Sequence, residues 1–107
     1  MISGFEEAMG GVDALLLPTT PLPAAKIGED VETDLNGKKV NTFLTFIKDC
    51  DPISIVGYPA ITVPAGYSSE GLPIGLQIVT RPFEEGKLLQ MGHAFEQATN
   101  VWKAPKL

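Results

Sequence analysis

The sequence predicts an α/β fold ordered as helix, strand, loop, helix, hairpin and helix, and three stretches carry that reading. Asp13 to Leu17 reads DALLL, a continuous apolar run closed by Pro18, which suits a strand covered on both faces in a parallel or mixed sheet. Ala60 to Tyr67 and Ile74 to Thr80 are β-prone runs joined by Ser68-Ser69-Glu70-Gly71, a turn-forming composition. Phe83 to Trp102 is amphipathic: Leu88, Met91, Gly92, Phe95, Ala98, Thr99 and Trp102 share a stripe, in which Gly92 permits close packing.

The remaining elements follow from local chemistry. Ile2 to Met9 reads as the last turns of a helix stopped by Gly10-Gly11. The segment after the first strand, PTTPLPAAKIGED, holds three prolines, so it continues neither a helix nor a central strand. A rigid loop leaving the end of a buried strand is a common place for ligand contacts. Glu29 to Lys39 is charged and turn-rich, with Asn36-Gly37 as a tight turn, and reads as a solvated excursion. Phe43, Phe46, Ile47 and Cys50 fall on one face of a helix that Asn41 or Thr42 caps. At Asp51-Pro52 a short helix restarts, with aspartate as cap, proline in the first helical position and Gly57 closing it. Ile74, Leu76 and Ile78 alternate with Gly75, Gln77 and Val79, giving the second hairpin strand one apolar and one mixed face.

Composition narrows the class. At 107 residues the chain is one unit at most; 44% hydrophobic and 20% charged residues are globular proportions. Thirteen acidic against eight basic residues give a net charge of -5 with no arginine cluster, which argues against a nucleic-acid surface. One cysteine permits no internal disulfide, no basic segment followed by a long apolar run opens the chain, and no apolar stretch is long enough to span a membrane, so a cytoplasmic protein is expected.

Candidate chemistry is sparse. Cys50 and His93 make a poor nucleophile and base pair, because the cysteine sits on an apolar stripe and the histidine lies off its helix's stripe near Gln90 and Gln97. One histidine and one cysteine fall short of a zinc set, and no glycine-rich loop opens a helix to hold phosphate, so neither metal nor cofactor is expected.

One buried strand and one hairpin make a poor sheet by themselves, which suggests a piece of a larger sheet. DALLLPTTPLPA, VGYPAITVPAG and GLPIGLQIV, followed by a phenylalanine and an acidic pair that lead into a helix with HAFEQAT, resemble in that order the C-terminal part of the amidase signature family. The resemblance runs over most of residues 2 to 102, with Ile27 to Lys39 as the variable part. It implies that residues 1–107 are the C-terminal portion of an amidase signature domain, contributing to a mixed β-sheet covered by helices. This portion is expected to supply one buried strand, a β-hairpin and about three helices.

The family hydrolyses amides with a nucleophilic serine, a cis-peptide serine and a buried lysine base, all in its N-terminal and central portions. No residue here matches them, so no catalytic residue is expected and the chain alone should be inactive. Ser68 and Ser69 read as turn residues. The resemblance places Thr19, Thr20 and Pro21 where the family's loop approaches the substrate cavity, as wall residues, and Ser54 to Pro59 near the acyl-binding side. Family members that draw ammonia from glutamine for misacylated transfer RNA carry an aspartate five residues before the proline matching Pro52; here that position is Ile47. Asp49 and Asp51 are out of register, since two residues turn a helical side chain by about 200°. A general amidase acting on a small-molecule amide is therefore favoured over a protein like the amidase-type subunit of a glutamyl-tRNA(Gln) amidotransferase. A third reading is a non-catalytic self-associating module, if Met1 is a true start. The chain is expected to form a homodimer or to pack on the missing part of its own domain.

Overall fold

The computed structural model describes residues 1–29 and 31–106. Nine elements follow in order: α1 (Ile2–Ala8), β1 (Leu15–Pro18), β2 (Glu32–Leu35), β3 (Lys38–Asn41), α2 (Thr42–Ile47), α3 (Asp51–Val56), β4 (Ala60–Tyr67), β5 (Pro73–Val79) and α4 (Glu85–Thr99). β5 is the central strand of a three-stranded sheet ordered β1-β5-β4. Leu17 of β1 and Thr62 of β4 both stand opposite Gln77 of β5.

Period-two alternation divides the apolar residues of this sheet between two faces. On one, Val79 packs with Met9, Ile53 and Tyr58, and the half-buried Phe5, Leu15, Leu17 and Val56 close around them. This face is covered by α1 and α3. On the other, Val63, Ile78 and Leu88 form a core with Ile61, Leu76, Met91 and Phe95, beneath α4. Gly92 lets α4 approach, because a Cβ there would lie 3.2 Å from Ile61 Cδ1 and 3.4 Å from Val63 Cγ1. The chain is thus an α/β unit with helices on both sides of an antiparallel sheet.

Several expectations need correction. β1 pairs antiparallel with β5, not with parallel neighbours, and its residues alternate in exposure. α4 packs mainly over β4, so Leu16, on the same face, is left 63% exposed at the sheet's edge. There are four helices instead of about three. The stretch expected as a solvated excursion forms the hairpin β2–β3; Asp30 within it lies outside the described residues. Its Asn36-Gly37 turn has positive φ at both central residues, 53° and 83°, the geometry that matches the twist of paired strands, and Asp34 Oδ1 accepts the Gly37 amide at 2.9 Å. The turn chemistry was legible, whereas the short charged strands beside it carried no apolar period.

The expected apolar stripe of α2 is inverted. Thr42 and Thr45 are buried while Phe43 is 67% exposed. Asn41 does cap this helix, its Oδ1 accepting the Leu44 amide at 2.9 Å. α3 carries Asp51 in its first turn without a side-chain capping bond and ends at Gly57 in the left-handed conformation. α4 stops at Thr99 with Asn100 left-handed, so Trp102 falls beyond the helix, 68% exposed. Arg81, just after β5, donates to the carbonyls of Met9 and Val12 and satisfies the end of α1.

Candidate functional site

The candidate site is the exit of β1, where the sheet face that packs under α1 and α3 changes from apolar to polar. Thr19 prolongs the β1 ladder, its amide donating to the Gly75 carbonyl at 3.0 Å. Its hydroxyl donates to Thr62 Oγ1 at 3.2 Å across the sheet. Gly75 makes room for both threonines, since a Cβ there would meet Thr19 Oγ1 at 2.7 Å and Thr62 Cγ2 at 2.9 Å.

Beyond Thr19 the chain turns away from the sheet. Thr20 Oγ1 donates to the Leu22 carbonyl at 2.7 Å and holds the proline-rich loop in a tight bend. Thr20 and Pro21 line a cavity of about 200 Å³ together with Gly75, Ile74, Pro73 and Ser68. Thr19 does not reach its lining; it faces Thr62 instead.

Ser68 is at the rim of this cavity and also within the β4–β5 turn. Its Oγ accepts from the amides of Glu70 at 3.3 Å and Leu72 at 3.1 Å, while its backbone pairs with Leu72 and Gly71. A hydroxyl oxygen engaged by two amides is a turn-stabilising group. Ser69 is exposed. Among the described residues no serine is hydrogen-bonded to a lysine, and the one ion pair joins Lys87 to Asp13 at 3.0 Å. The Lys87 hydrogen bond and charge hold the Asp13 carboxyl below the usual carboxylate range, with Arg81 adding to the charge effect against a small opposing desolvation.

Ser54 to Pro59 belongs to a different cavity. Val56 and Tyr58 line a space of about 390 Å³ with Met9 and Arg81 on the α1 side, and Tyr58 packs on Phe5 with ring centroids 5.5 Å apart. Cys50 and His93 are not brought together: His93 is exposed on α4, whereas the Cys50 thiol donates to the Thr19 carbonyl at 3.2 Å. No group of three His, Cys, Asp or Glu side chains gathers among the described residues. No helix among them is long and apolar enough to cross a membrane.

Sequence reasoning missed Thr62, Gly75 and Gln77 as parts of this site. The signal for them was the mixed face of β5, where a glycine and a glutamine stand in a central strand among apolar residues.

Comparison with known proteins agrees with this geometry. The family model described as Amidase matches residues 1–89. The amidase-type subunit of the glutamyl-tRNA(Gln) amidotransferase of Geobacter metallireducens is 42% identical over 106 residues, 99% of this chain and 20% of that protein. A crystal structure of an amidase superposes with a TM-score of 0.82 at 37% identity, over 88% of this chain and 21% of the other. A 6-aminohexanoate cyclic dimer hydrolase does so with a TM-score of 0.74 at 36% identity, over 87% and 20%. The chain therefore spans about a fifth of the length of the curated relatives it matches. With the family matched over most of its length and the fold shared with solved members, the chain belongs to the amidase family.

Proposed function

We propose that residues 1–107 are the C-terminal portion of a cytoplasmic amidase domain that hydrolyses the C–N bond of a linear amide to a carboxylic acid and an amine or ammonia. In this reading the chain supplies sheet, core and one wall of the substrate pocket, and the nucleophile and base come from the rest of the domain. The observation that carries it is the cavity at the β1 exit, walled by Thr20 and Pro21 and held at a fixed distance from the sheet by the close contact of Thr19 with Gly75. A concave surface of few polar groups at a strand end suits an acyl chain.

A second reading is supported by the names of the similar amidotransferase subunits. Against it stands Ile47, an apolar side chain at the end of α2, which offers an ammonium group no partner. The two separate by assay of the complete enzyme containing these residues. Hydrolysis of simple aliphatic or aryl amides without partner subunits supports the first. Turnover of glutamine alone, dependent on partner subunits and misacylated transfer RNA, supports the second.

The wall is tested by Thr20→Leu in that enzyme. Its ranking of small against bulky acyl groups is expected to change about tenfold, the scale of a methylene or two in a pocket, with little change in melting temperature. An unchanged ranking with a large fall in melting temperature assigns Thr20 to packing.

A further inference from the structure

Three hydrogen bonds converge on the exit of β1 from distant parts of the sequence. Gln77 lies on the central strand and is 5% exposed. Burying a carboxamide there costs free energy unless it is hydrogen-bonded, and an apolar side chain would fill the same space without that penalty. Its Nε2 donates to the Asp49 carbonyl at 3.3 Å, in the connection between α2 and α3. The next residue, Cys50, donates its thiol to the Thr19 carbonyl at 3.2 Å. Thr19 then donates to Thr62 on β4. The path from Gln77 through Asp49 and Cys50 to Thr19 thus ties the α2–α3 connection to two strands and holds the peptide that precedes Thr20.

We propose that Gln77 is a positioning residue for the substrate wall: by fixing the Asp49–Cys50 backbone it sets the orientation of Thr19–Thr20, and through them the acyl group the cavity accepts. The inference rests on the wall reading above. Gln77 itself touches no substrate; it acts through the connection it holds.

The test has two readouts. In the 107-residue chain, Gln77→Met keeps side-chain volume and removes the donor. Alkylation of Cys50, the single cysteine, by iodoacetamide under native conditions should then accelerate about fivefold, the scale of one net hydrogen bond. In the complete enzyme, Gln77→Met and Cys50→Ala should both shift the ratio of kcat/KM between bulky and small acyl amides, while Cys50→Ser, which restores a donor to the Thr19 carbonyl, should return it towards the wild-type value. A role limited to stability lowers the melting temperature of all three without moving that ratio. An unchanged alkylation rate in Gln77→Met overturns the inference, and so does an unchanged ratio. If the ratio is unchanged in these variants but moves in Thr20→Leu, the wall reading stands and the positioning role fails; if Thr20→Leu leaves it unchanged as well, both fail.

Discussion

Gly75 and Thr19 are so close that a Cβ on the glycine would lie 2.7 Å from the threonine hydroxyl oxygen. That contact sets how near the first residue after β1 can lie to the central strand, and it makes the β1 exit sensitive to a single methyl group.

Gly75→Ala is therefore expected to displace Thr19 and break its bond to Thr62, destabilising the fold by about 1–3 kcal/mol through overpacking. Denaturant unfolding measures this. Thr19→Ala in the same chain should relieve part of the loss, so the double variant is expected to be less destabilised than the sum of the two singles. Strict additivity would place the strain elsewhere.

The isolated chain is expected to release no amine or ammonia from aliphatic or aryl amides above background, because no serine among the described residues is paired with a lysine base. Ser68→Ala should cost about 1 kcal/mol of stability by freeing two turn amides and should affect no turnover. Amide hydrolysis that disappears in Ser69→Ala would show that the turn carries chemistry.

Asp13 gives the fold a pH response of known sign. Its carboxyl is held below its ordinary value of 3.8 by Lys87, so the bond stabilises the folded chain above that pH and is lost as pH falls through the lower, folded-state value. Compared with Lys87→Met, the wild type should show a small stability advantage near neutral pH that vanishes in acid. High salt should shrink it as well, since Asp13 is exposed. Thermal melts across pH at two salt concentrations check both effects.

Association should follow from the free edge of β1. This strand pairs on one side only among the described residues, and Leu16 on it is 63% exposed. The apolar side of α4 is occupied by the sheet, with Leu88 and Gly92 buried, which leaves the strand edge as the route to a symmetric dimer. Light scattering on dilution should report a dimer for the wild type and a monomer for Leu16→Lys. A folded wild-type monomer at micromolar concentration would show that 107 residues close their own core.

What could be read along the chain is what the chain encodes locally. DALLLP marked a strand, the turn at Ser68 to Gly71 marked the β4–β5 hairpin, Asn41 capped α2 and Gly57 ended α3, because apolar periods and capping or turn residues act within a few positions of themselves. The ordered motifs also carried the family. Packing in three dimensions settled the rest: that β1 runs antiparallel beside β5, that α2 buries its threonines and exposes Phe43, and that Gln77, Cys50 and Thr19 meet at one strand end. The bonds that join those three span 28 and 31 residues, and no periodicity along a chain records which distant backbone a buried carboxamide or thiol will find.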